Sequence, residues 1–115
     1  MAINLTWKTC GSDRRWCNLK KLILDKNTDV GVYIIWHTGQ PSQVVRVGQG
    51  AIKERLSAHR KDPEITKFGD LRVTWAVVKS QYRDGVERYL ADTWDPLVGD
   101  AFPDVDPIAV NSPFA

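Results

Sequence analysis

The chain has no apolar run near the roughly 20 residues that a membrane-spanning helix requires, so no membrane partner is expected. Its opening, Met1-Ala2-Ile3-Asn4-Leu5-Thr6-Trp7, lacks the basic segment followed by an apolar one that marks a secretory signal. Cysteine is scarce, Cys10 and Cys17 being the only two. Their spacing excludes a redox Cys-x-x-Cys, and no second Cys/His pair stands at zinc spacing. Reduced, partly buried thiols in a cytoplasmic protein are therefore the expectation, with a disulfide between the two as the alternative. Repeats, low-complexity tracts and linkers are also missing. That leaves a single domain over residues 1–115, large enough to bury a core.

Neither sign of charge dominates, the net charge being +2, but the distribution is uneven. Residues 1–30 carry six Lys/Arg against three acids, residues 46–72 seven against four, and residues 84–106 one against seven. The first two regions suit a polyanion and the third suits cations, although a mixed-charge surface accounts for the counts equally well.

Three stretches have the composition of strands. Val30 to His37 is rich in β-branched and aromatic residues and ends at the turn Thr38-Gly39-Gln40-Pro41-Ser42. Gln43 to Val47 reads as its hairpin partner, broken by Gly48-Gln49-Gly50, and Leu71 to Val78 reads as a third strand. Ser12 is placed to cap a short helix through about Leu24, with Trp16, Leu19 and Ile23 on one side. A second helix is expected from Ala51 to about Lys61, stopped by Pro63, and a third from Asp84 or Gly85 to near Asp95-Pro96. Residues 1–29 thus form a helical extension, and 99–115, with three prolines, an extended tail laid over the core. The class is α+β: a small, three-stranded, mainly antiparallel sheet flanked by helices. Most of the five tryptophans, Trp7, Trp16, Trp36, Trp75 and Trp94, fall in these patterns as core residues.

The polar residues inside the patterns are the candidates for chemistry. At 100° per residue, Ile52, Arg55, Leu56 and His59 lie within about 100° of one another on a helix. A cation and an imidazole therefore share the apolar, sheet-facing side, while Lys53, Glu54 and Arg60 point outward. A half-buried arginine there needs an anion. Glu87 or a tail aspartate would supply it structurally, a scissile phosphate functionally. Glu87 falls at the edge of the stripe made by Val86, Leu90, Trp94 and Leu97, as a rim salt bridge or a ligand to a hard cation. Tyr33 packs in a strand with its hydroxyl at the sheet edge. Asn111 is suited to pinning the tail through a hydrogen bond to backbone. Each has an ordinary structural role open to it. Together, tyrosine, arginine, histidine, carboxylate and amide also suit hydrolysis of a phosphodiester with one metal ion.

In that order and spacing, the stretch from about Val30 to Asn111 resembles the GIY-YIG nuclease family. Gly31-Val32-Tyr33 looks like the first motif, with valine for the usual isoleucine, and Arg46-Val47-Gly48 stands where the second would be. Arg55 and His59 resemble the helical Arg and the His/Tyr four residues on, Glu87 the metal-binding glutamate, and Asn111 the late asparagine. The second tyrosine of the pattern is Arg46 here, a residue able to neutralise a phosphate but not to accept a proton at ordinary pH.

The resemblance implies metal-dependent hydrolysis of phosphodiester bonds in DNA, or alternatively RNA, with Mg²⁺ or Mn²⁺ on Glu87. Tyr33 would orient or deprotonate the attacking water, helped toward phenolate by Arg46 and Arg55. Arg55 would clamp the phosphate, His59 would serve as acid/base or partner of Tyr33, and Asn111 would hold the tail or a water. Arg46, Lys53, Arg55 and Arg60 would contact the nucleic acid. About 29 residues precede the first motif, too few for a separate targeting domain. Weak sequence preference, a preferred DNA structure, or specificity from a protein partner is therefore expected. The alternative reading is a catalytically degenerate domain of the same fold that binds nucleic acid or another protein.

Overall fold

The computed structural model describes residues 2–10, 16–99 and 101–114. In chain order its elements are β1 (Ala2–Ile3), β2 (Cys17–Asn18), β3 (Val30–His37), β4 (Gln43–Ala51), α1 (Ile52–His59), α2 (Pro63–Thr66), β5 (Leu71–Val77), α3 (Ser80–Trp94) and β6 (Ala109–Val110). The α+β class holds, and the three long strands lie where their composition places them. The sheet is antiparallel with four strands rather than three, in the order β2-β5-β3-β4. The short β1 and β6 pair in parallel as a separate ribbon, which ties the extended tail to the start of the chain.

The side chains of β3 alternate between two cores, as strand geometry requires. Val32, Ile34 and Trp36 pack with Val47, Ala76, Val86 and Leu90 under α3. Tyr33 and Ile35 pack on the other face with Val45, Val73, Ile52 and Leu56 under α1. Covered on both faces and paired on both edges, β3 can be apolar throughout, which is why VGVYIIWH reads as a continuous run. Gly31 is fixed by this close pairing: a Cβ there would overlap the carbonyl of Ala76 in β5.

The expected helix through residues 16–24 is absent, and its proposed cap, Ser12, lies outside the described residues. Cys17 and Leu19 are both buried at a spacing of two, the period of a strand, and Cys17 pairs with Val73. Asn18 Oδ1 accepts from the backbone N–H groups of Lys20 and Lys21 at 3.0 and 3.2 Å, turning the chain at once. Ile23, placed on the inner face of that helix, is 84% exposed.

The two cysteines form a disulfide, not free thiols. The backbone at Lys8 bonds along β5, its N–H to the Trp75 carbonyl and its C=O to the Thr74 hydroxyl. Cys17 sits opposite Val73 on that strand, so β5 draws both cysteines together, with a Cα–Cα distance of 5.0 Å.

The helices shift by a few residues. Pro63 ends α1 and also opens α2, where Asp62 Oδ1 accepts from the Glu64 N–H at 3.0 Å. The last helix starts at Ser80, ahead of Asp84, and stops at Asp95 in left-handed conformation just before Pro96. Trp36 and Trp75 are buried as expected, while Trp7, Trp16 and Trp94 are half-buried. Among the described residues, no helix is long and apolar enough to cross a membrane.

Candidate active site

The sheet edge at β4 is where the polar candidates meet. Gly48-Gln49-Gly50 does not break β4, because Gly48 and Gly50 pair with Tyr33 and Gly31 across the ladder. The glycine at 48 has a direct use: the Tyr33 ring and hydroxyl occupy the space a Cβ would fill. Tyr33 thus lies across β4 toward the edge, fully buried. Its hydroxyl meets His59 Nε2 at 2.5 Å. His59 reaches it because α1 turns Ile52, Leu56 and His59 inward, as helical spacing predicts.

Two guanidinium groups flank the phenol. Arg46 shares a face of β4 with Gly48, by strand alternation, and lies half-buried against Gly99. Its Nε is buried and has no hydrogen-bond partner among the described residues. Arg55 passes over Gly50. Contrary to expectation it is exposed rather than half-buried, because its angle puts it on the rim of the helical stripe.

Glu87 comes from the opposite layer. It is buried on α3, and Gln49, whose side chain alternates to that face of β4, donates from Nε2 to Glu87 Oε1 at 2.8 Å. The same nitrogen donates to Asp84 Oδ1 at 2.7 Å. Glu87 therefore lies behind the β4 edge, within electrostatic reach of Arg46 and Arg55.

These surroundings set the protonation states. Burial, with Arg46 and Arg55 adding to it, lowers His59 to about 4. Burial raises the Tyr33 pKa, and the opposing effect of Arg55 and Arg46 only moderates this. The expected help toward phenolate is present but loses to desolvation: Tyr33 is a phenol and His59 a neutral imidazole, joined by that hydrogen bond. Burial also raises Glu87, opposed by the Gln49 hydrogen bond and Arg46, and assisted by the neighbouring Asp84 carboxylate.

His59 gives a pH signature. Unfolded, it takes a proton near 6.5; folded, it does so only near 4. The unfolded state holds the extra proton between those values, so stability rises with pH across that window and is complete above it. On the order of 3 kcal/mol is at stake, at 1.36 kcal/mol per unit. Denaturant titrations at pH 4.5 and 7.5 should show a larger acid loss for the parent than for His59→Gln. Equal losses would mean the imidazole is not desolvated.

Three expected members stand apart. Asn111 Oδ1 accepts from the Leu5 N–H at 2.6 Å and Nδ2 donates to the Leu5 carbonyl at 2.9 Å, so its amide pins the tail, and among the described residues none of its hydrogen bonds goes to the Tyr33 group. Lys53 donates to the Asp25 carbonyl at 3.1 Å and Arg60 to the Leu22 carbonyl at 2.7 Å. Both are half-buried against the segment before β3 rather than pointing outward, because that segment folds along α1. Gln49 and Asp84 are the polar residues that sequence reasoning missed. Asp84 could have been found three residues before Glu87, on the same helical side; Gln49 read as part of the glycine break between strand and helix.

No family model, curated protein or solved structure matches the chain.

Proposed function

We propose that this chain is a metal-dependent endonuclease of the GIY-YIG type, hydrolysing phosphodiester bonds, with DNA as the substrate. The observation that carries the reading is the Tyr33–His59 hydrogen bond, flanked by Arg46 and Arg55 and backed by Glu87 across one sheet edge. Phenol, imidazole, two guanidinium groups and a carboxylate serve the needs of phosphate hydrolysis: water activation, charge neutralisation and a cation ligand.

Among the described residues no group of three or more His, Cys, Asp or Glu converges on a metal position. Glu87, with Asp84 beside it, is the oxygen donor set that fits a hard ion keeping most of its water. Mg²⁺ or Mn²⁺ held there would neutralise charge on the phosphate and the departing oxygen.

The rest is done by the chain's own side chains. Arg55, exposed, and Arg46, half-buried, bind the phosphate oxygens, and the phenol, buried behind them, meets the attacking water once the substrate has drawn these side chains aside. Phosphate binding cancels the charges that, after burial, hold His59 low, so the imidazole becomes a better base when substrate arrives. The water proton passes to Tyr33 Oη as the phenol proton passes to His59 Nε2. Arg46, in the place of a second tyrosine, supplies charge and no proton transfer.

Incubation of supercoiled plasmid with the chain should give relaxed circles in Mg²⁺ or Mn²⁺, none in EDTA, and none with Glu87→Ala. Cleavage that survives Glu87→Ala would remove the metal assignment. Salt-sensitive DNA binding without nicking would replace the reading by a degenerate binding domain, the outcome that the missing second tyrosine favours.

A further inference from the structure

We propose that a second cleft, away from the Tyr33 group, binds a phosphate group. It lies by the opposite sheet edge, where the turn after β2, the end of α1, α2 and the start of β5 meet. Its volume is about 410 Å³, and Lys20, Arg60, Thr66, Asp70, Leu19 and Leu71 line it.

The polar groups there are arranged for an anion. Arg60 is held in place by its bond from Nη2 to the Leu22 carbonyl, a neutral partner, and its charge has no ion-pair partner among the described residues. Its Nε is buried and has no hydrogen-bond partner among the described residues. Nε itself is closed to a ligand, so it is the positive charge of the guanidinium, lining the cleft, that an anion would meet. Lys20 brings an exposed ammonium and Thr66 an exposed hydroxyl to the same cleft.

Asp70, the one carboxylate among the lining residues, is already engaged: Oδ2 takes the Thr38 hydroxyl and Oδ1 takes Arg72 Nη2 at 3.1 Å. The cleft is therefore basic in effect, despite its acid. A guanidinium, an ammonium and a hydroxyl on different walls suit a tetrahedral oxyanion better than the planar, bidentate pairing of a carboxylate.

Size and lining extend the argument. The volume is in the range of small-molecule sites and exceeds what a bare phosphate fills. Leu19 and Leu71 are buried apolar residues beside it, suited to the organic group that carries the phosphate. The same phosphate chemistry could come from a nucleic-acid strand or from a free phosphorylated small molecule. Arg60, expected from sequence to contact nucleic acid along with Arg55, acts in this proposal in a separate site.

The test uses the full chain, ¹⁵N-labelled and titrated with sodium phosphate at constant ionic strength, against sodium chloride as control. Amide resonances of Thr66, Gly69 and Leu71 should shift saturably, with affinity about tenfold lower in Lys20→Ala. Lys20 is exposed and makes no side-chain hydrogen bond among the described residues, so this variant should keep the fold; Thr66→Val is a second of the same kind. Phosphate that leaves these amides unmoved, or moves them equally in parent and both variants, overturns the proposal.

A second arm identifies the source and needs no cleavage. If a strand supplies the phosphate, Lys20→Ala should weaken DNA binding across sequences and reduce its salt slope by about one. If the DNA slope is unchanged while inorganic phosphate still binds, the site stands and its ligand is a free phosphorylated molecule. Because both arms read binding alone, a chain that never cuts DNA would end the nuclease reading and leave this site intact.

Discussion

Glu87→Gln should lose metal-dependent cleavage by at least about 10²–10³-fold, as expected when several kcal/mol of charge stabilisation disappear, while becoming more stable at neutral pH. The two effects have one cause. Glu87 is buried, and burial raises its pKa, so the folded state holds its negative charge at a cost. Glutamine keeps the oxygen that accepts from Gln49 Nε2 and removes the charge. An acid with a raised pKa destabilises the fold above its unfolded pKa, and this effect fades once the group is protonated in both states. The gain over the parent should therefore be greatest near pH 7 and vanish below about pH 4. Thermal denaturation with and without Mg²⁺ checks it. Without metal the variant should melt higher; with metal the parent should rise toward it and the variant should not move. A variant that melts lower at neutral pH, or that cuts as well as the parent, would show that Glu87 is an ordinary structural acid.

The second large effect belongs to the Tyr33–His59 pair. Tyr33→Phe should reduce the single-turnover rate by about 10²–10⁴-fold, the range for removing a proton-transfer group. It should also cost stability, on the order of 1–3 kcal/mol, by leaving His59 Nε2 buried without its partner. The two losses are separable by a double-mutant cycle. If the phenol and the imidazole act as one relay, adding His59→Gln to Tyr33→Phe should slow the reaction little beyond either single change. If the bond is structural only, rates stay near the parent value while stability falls. A Tyr33→Phe protein that cuts at full speed would move water activation to His59 alone.

Much of this arrangement could be read along the chain, for identifiable reasons. The stripe of Ile52, Arg55, Leu56 and His59 depends only on helical periodicity, and α1 does turn Ile52, Leu56 and His59 inward. The three long strands follow from β-branched and aromatic runs bounded by turns, so the α+β class was legible too. What failed were places where a distant partner overrides a local preference. Residues 17–24 carry a helical pattern, yet β5 captures Cys17 and Asn18 as a fourth strand. Gly48-Gln49-Gly50 carries the composition of a turn, yet β3 pairs with it throughout. The cysteines looked unpaired because nothing in a spacing of seven shows that one strand will gather both.

The site divides the same way. Residue types and the side of each helix are local properties, fixed by bond geometry and a repeat of 3.6 or 2 residues. The chain alone therefore determines that His59 faces the sheet, that Glu87 sits on or beside an apolar stripe, and that Tyr33 belongs to a buried strand. Which charges those groups face depends on packing between segments tens of residues apart. Only the folded protein decides that Tyr33 is a desolvated phenol rather than a phenolate, that Gln49 joins Glu87 to Asp84, and that Asn111 is spent on Leu5. Desolvation and hydrogen-bond partnership are properties of an assembled environment, and no single segment carries them.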